Sequence, residues 1–149
     1  MLERIAAAAG RQLTIESSAP TETSIAGLVA RLDIDEYGEP DWTELRSFVD
    51  WSDRHPEHAV ASIASPPMRT GSGRVDNLVA AIAETVADMR GHEPPRWCAA
   101  VDALDDPWLA PGTAAMRERH AADVPPRFAD RNVFLPAGTV WRSGATVSQ

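Results

Sequence analysis

Lysine is missing altogether: the 14 basic residues of this 149-residue chain are all arginine. That fits the coding bias of a GC-rich genome, and it removes the phosphate-binding lysine of a P-loop. Cysteine is nearly missing too. Cys98 stands alone, which excludes an intrachain disulfide and any cysteine-based zinc cluster. No apolar run approaches the ~18 residues of a membrane span. The N-terminus does not carry the basic segment and apolar core of a secretion signal, since Leu2 is followed at once by Glu3 and Arg4. The expected location is the cytoplasm, with no membrane association. Positive charge is also short: 22 acidic residues against 14 basic give a formal net charge of -8. A nucleic-acid binder needs a basic face for phosphates, so DNA is not an expected partner of this chain alone.

What is present is an ordinary globular composition, long enough for one hydrophobic core. Charge is segregated along it. Asp33, Asp35, Glu36, Glu39, Asp41, Glu44, Asp50, Asp53 and Glu57 face only Arg46 and Arg54 over 33–57. From Leu109 onward Arg117, Arg119, Arg127, Arg131 and Arg142 face Glu118, Asp123 and Asp130. An acidic middle and a mildly basic tail either bind each other or a partner, or form a solvated surface.

The elements read as mainly helical. Gly10 closes a short amphipathic helix over 2–9, 12–16 leans toward a strand, and 17–20 is a linker. Thr21 is the expected cap of a helix carrying Ile25, Leu28, Val29 and Leu32 at i, i+3, i+4, i+7. An acidic loop over 33–40 follows, broken by Gly38 and Pro40. Asp41-Trp42-Thr43-Glu44 has the spacing of a capping box, and its helix runs to about His55 over Leu45, Phe48 and Val49. Pro56 suits the first turn of a helix over 56–64. The stretch 65–73 is the clearest break. The longest helix spans 73–90, with Val75, Leu78, Val79, Ile82, Val86 and Met89 at helical spacing. Shorter helices are expected at 96–104 and 113–122, with a turn from Pro125 through Arg131. The apolar end over 132–142 reads as a strand and turn. The expected fold class is a compact multi-helix domain, mainly α. It has at most one small β-pairing, of 12–16 with 132–135 or 139–142.

No catalytic motif stands out. His55, Glu57 and His58, with Asp53, are close in sequence, but the two histidines lack the i, i+4 spacing of a helical zinc site and Pro56 separates them. A helix corner is the expected role. Asp102, Asp105 and Asp106 precede Pro107 in a loop, where aspartates cap and turn. Ser65, Ser72 and Ser143 have no Gly-x-Ser-x-Gly frame. Gly71-Ser72-Gly73 precedes a helix, a place where anions bind, but without the spacing of a phosphate loop. Cys98 reads as a core thiol rather than a nucleophile beside His92 or His120. No cofactor or metal is expected. Five tryptophans are many for this length. Either they plug an irregular helical core, or they anchor a partner, since Trp and Arg are enriched at interface hot spots.

Two regions resemble a known family. Leu2-Glu3-Arg4-Ile5-Ala6-Ala7-Ala8-Ala9-Gly10 is similar to the closing helix of the helix-turn-helix domain of phage-repressor-type bacterial regulators. Pro94-Pro95-Arg96-Trp97, Asp106-Pro107-Trp108, and Pro125-Pro126-Arg127-Phe128 continuing through Arg131 and Val133-Phe134-Leu135 resemble the tail of actinobacterial helix-turn-helix proteins. Several of those resemble antitoxins encoded beside nucleotidyltransferase-like toxins. The resemblance implies that 1–16 is the remnant of a helix-turn-helix domain. It implies that 17–149 is a helical partner-binding domain, with a sub-boundary at 65–73. The family's recognition helix would precede Met1, so DNA binding does not carry over. The expected function is a non-enzymatic antitoxin-like module that neutralises a nucleotidyltransferase-like or nuclease-like toxin. A truncated transcriptional regulator and a small metal-dependent enzyme are the alternatives. The expected partner contacts are Asp35, Glu36 and Glu39, standing in for phosphates against a basic surface, with Trp51, Trp108, Arg127, Arg131 and Trp141 as anchors.

Overall fold

A computed structural model describes residues 23–142. The expected helix over 2–9, the strand over 12–16 and the cap at Thr21 lie outside the described residues. Ser24 caps the first helix, its Oγ accepting from the Gly27 amide at 3.0 Å. That helix, α1 (Ile25–Ala30), buries Ile25, Leu28 and Val29. Asp41 caps α2 (Trp42–Arg54) by accepting from the amides of Thr43 and Glu44. This satisfies two donors that the first turn of a helix leaves without partners. Leu45, Phe48 and Val49 form its inner face. Pro56 opens α3 (Pro56–Ser62), where its missing amide costs nothing.

The central element is α4 (Gly73–Met89), capped by Ser72 on the Val75 amide. The expected stripe of Val75, Leu78, Val79, Ile82 and Val86 is buried, and so are Ala80, Ala81, Ala83 and Ala87. With small residues around the rest of its circumference, the helix is enclosed on most sides. α3 packs against it, as do α5 (Arg96–Ala99) and α7 (Pro126–Asp130), while α2 bridges α1 and α3. One core runs across the 65–73 break, joining Val29 and Ile63 to Cys98, Phe128 and Trp141. Trp97 Nε1 donates to the Ile63 carbonyl at 2.8 Å across the same break.

Beyond α5 the chain forms a two-stranded parallel sheet. β1 (Trp108–Leu109) pairs with β2 (Val133–Phe134) in the register Trp108 to Val133 and Leu109 to Phe134. The expected partner for 132–135 was 12–16; the observed one is Trp108–Leu109. Asn132 makes this pairing reachable. It adopts a left-handed conformation (φ 63°), which asparagine tolerates better than most residues, and so turns the chain out of α7. Its carbonyl then accepts from the Trp108 amide at 2.8 Å, and its Nδ2 donates to the Leu104 carbonyl at 2.7 Å. Between the strands lie α6 (Ala114–His120) and a 3-10 turn over Ala121–Asp123. α5 is shorter than the expected 96–104. The fold is mainly helical with one small parallel sheet. Among the described residues, no helix is long and apolar enough to cross a membrane.

Candidate functional site

The acidic loop after α1 is a pinned hairpin. Ile34 and Pro40 form an antiparallel bridge, the Asp35 amide donates to the Glu39 carbonyl (2.9 Å), and the Asp41 amide donates to Asp33 (3.0 Å). Asp35 organises the tip from inside: its Oδ1 accepts from the amides of Tyr37 and Glu39, both at 2.9 Å. Gly38 sits at φ +84°, a left-handed conformation that glycine adopts without steric cost. The result holds Glu36 and Tyr37 outward, with Tyr37 80% exposed. Glu39 turns toward α2, accepting from Trp42 Nε1 at 3.0 Å.

Glu39 is also on the rim of a groove of about 1090 Å³. Its floor is a pair of indoles, Trp42 and Trp108, with centroids 6.2 Å apart and planes tilted by 42°. Leu109, Met116, Val124 and Phe134 add apolar wall. α6 forms one side without burying a single side chain. It is held by Thr113, whose Oγ1 accepts from the Met116 amide, and by Arg117, which donates to the carbonyls of Ala110 (3.3 Å) and Gly112 (2.6 Å). Across the groove, Arg46 Nε donates to the Thr139 carbonyl at 2.9 Å. The Arg74 guanidinium lies over the Trp108 ring, 5.4 Å from its centroid, in a cation–π contact. A smaller cavity of about 130 Å³ lies elsewhere, beneath Met68 between α1 and α5.

The expected contact residues separate into distinct places. Asp35, Glu36 and Glu39 share the hairpin, and Glu39 and Trp108 reach the groove. Trp108 is buried, so it is floor rather than a projecting anchor. Trp51 is half-buried on α2 in a ladder of stacked rings, 6.5 Å from Phe48 and 4.9 Å from His55. Arg127 makes a bidentate pair with Asp88 at 2.8 and 3.0 Å. Arg131 and Trp141 are inside the body, and this removes them from the contact surface. Arg131 is enclosed by Glu84, Asn77 and two carbonyls, and Trp141 packs on Phe128 at 6.0 Å. Sequence reasoning missed Tyr37, Trp42, Arg74, Leu109 and Met116. Tyr37 carried a signal, as the chain's one tyrosine within its densest acidic run.

The chemistry-bearing clusters behave as structural groups. His55 Nδ1 lies 2.9 Å from the Trp51 carbonyl, and burial pushes the Asp53 carboxyl up, with Arg90 partly opposing it. Among the described residues, no group of three or more His, Cys, Asp or Glu side chains is placed to hold a metal ion. The Gly71–Gly73 turn already has its anion: Asp76 Oδ1 accepts from the Thr70 amide (2.9 Å) and hydroxyl (2.8 Å). Burial pushes the Cys98 thiol up to about 12, and nearby Glu84 adds to the shift, so the thiol stays neutral and a poor nucleophile. No protein-family profile, curated protein or solved structure matches the chain.

Proposed function

We propose that this chain is a non-enzymatic binding module of the antitoxin-like kind, which holds a protein partner through the 33–41 hairpin. The observation that supports the reading is the pinned hairpin itself. Its turn is fixed by the Asp35 carboxylate, so presenting Glu36 and Tyr37 costs little ordering on association. An exposed tyrosine beside Glu36 on an acidic hairpin combines a hot-spot aromatic with charge complementary to a basic cleft. A nucleotidyltransferase-like or nuclease-like partner offers such a cleft, because it must bind phosphates.

The test is affinity capture of the tagged full chain from its native host, beside the double variant Glu36→Arg, Tyr37→Ala. Asp35 is left intact, because its carboxylate builds the turn and replacing it would unfold the hairpin instead of removing a contact. The expected result is stoichiometric recovery of a nucleotidyltransferase-like or nuclease-like protein with the wild type and its loss with the variant. Recovery of the chain alone, or equal recovery with both chains, overturns the reading.

A further inference from the structure

Among the described residues, Arg31, Arg90, Arg127, Arg131 and Arg142 each have a carboxylate within 4 Å. The three at the groove do not. Arg46 Nε and Arg117 Nη1 donate to neutral carbonyls. Arg74 has only the face of Trp108, with no hydrogen bond or ion pair among the described residues. A guanidinium steadied on a buried indole with its N–H groups unused by the protein is free to take an outside anion.

The surface beside it is apolar. Of four large hydrophobic residues that stand exposed in the described chain, two are here: Leu109 at 48% and Met116 at 40%. Exposed apolar surface concentrated in a concavity marks a ligand site more often than scattered surface does. At about 1090 Å³ the groove lies just above the usual range of small-ligand sites, which run to about 1000 Å³. The lining carbonyls of Ala110 and Thr139 already have arginine donors. A long body without hydrogen-bonding groups fits such a lining. Glu39 and Glu118 also stand on the rim and disfavour a second negative charge.

We propose that the groove between α6 and the Trp42–Trp108 pair binds an amphiphilic monocarboxylate, its apolar body on the indoles and its carboxylate on Arg74. The site goes beyond the partner-binding reading and is tested on the purified full chain alone, so the two stand or fall separately.

The experiment is titration with decanoate and with decan-1-ol, read by calorimetry and by the fluorescence of the groove tryptophans. The chains are the wild type, Arg74→Gln and Leu109→Glu, each checked for folding by circular dichroism. Both replaced side chains are exposed, so the fold does not depend on them. Decanoate is expected to bind one per chain, about tenfold or more tighter than decan-1-ol, the scale of a charge-assisted hydrogen bond. Arg74→Gln is expected to erase that preference while leaving alcohol binding, and Leu109→Glu to abolish both. Failure of decanoate to bind the folded wild type overturns the site. Equal binding of acid and alcohol, or a preference that survives Arg74→Gln, overturns the role of Arg74. Light scattering on the same samples completes the test. A wild-type dimer that Leu109→Glu dissociates, with no decanoate bound, shows the groove to be a self-interface and overturns the proposal.

Discussion

Arg131→Met is expected to be among the most damaging single substitutions in this chain. All five N–H groups of Arg131 are used. Nε and Nη2 hold the two oxygens of Glu84 at 2.8 and 3.1 Å, and Nη1 holds Asn77 Oδ1 at 2.9 Å. The remaining donors go to the carbonyls of Val101 (2.7 Å) and Cys98 (2.6 Å). Both charged side chains are nearly enclosed, Arg131 at 8% and Glu84 at 12% exposure. Methionine fills much of the same volume but leaves a buried carboxylate and two acceptors, Asn77 Oδ1 and the Val101 carbonyl, without donors, while the Cys98 carbonyl keeps the Val101 amide. Breaking a buried pair in this way costs about 3–5 kcal/mol, against a total stability of about 5–15 kcal/mol for a domain. For a body of this size that lowers the melting temperature by roughly 6–20 °C. Urea unfolding followed by tryptophan fluorescence and circular dichroism measures the loss directly. Adding Glu84→Leu removes the stranded charge, so the double variant is expected to be more stable than the sum of the two single losses requires, by about 1 kcal/mol or more. A loss below about 1 kcal/mol for Arg131→Met, the range of exposed pairs, would refute the reasoning, as would strict additivity in the cycle.

Arg127→Ala is the contrasting case. Its bidentate pair with Asp88 has equally good geometry, but the side chains are 34% and 37% exposed, so water and salt screen it and the expected loss is below about 1 kcal/mol by the same urea titration. The Cys98 thiol gives a pH dependence with a definite sign. Its ordinary value of 9.0 is pushed up to about 12 by burial first and Glu84 second, so the unfolded chain gives up the proton before the folded one. That contribution to stability is intact below about pH 9 and is lost progressively as pH rises toward 12. The urea midpoint is expected to fall further between about pH 8 and pH 10 in the wild type than in Cys98→Ala, and an equal fall in both would defeat the assignment.

How much of this was legible depends on whether a residue's role is set locally. The caps at Asp41 and Ser72 and the stripes under α2 and α4 are written within a few residues of each helix, so those helices start where expected. The helix from Arg96 was expected to reach 104 and stops at Ala99. The Val101 carbonyl is taken by the Arg131 guanidinium, from a different part of the chain, and the Cys98 carbonyl accepts from that guanidinium as well as from the Val101 amide. Val133–Phe134 lies in the stretch expected to be a strand, but its partner Trp108–Leu109 was missed for a related reason. Two residues carry no alternation, and their pairing is made by the left-handed turn at Asn132.

The same distinction explains the site. Interface propensity ranks Trp108, Trp141, Arg127 and Arg131 alike, because it asks only what a side chain is good for. What divides them is distant packing: Trp141 meets Phe128 in the core, Arg131 is bound to Glu84, and Trp108 receives Trp42 and Arg74. Yet the groove is less remote from local signals than it looks. Trp42 is the first residue of α2 and Arg74 the second of α4, each one or two positions after its cap. Each residue of an α-helix turns the next by about 100°, so moving either cap by one position would swing that side chain off Trp108. Asp41 and Ser72 therefore set the geometry of the groove as well as the start of two helices. The two caps and the cation–indole cluster are consequences of the same four residues' order in the chain.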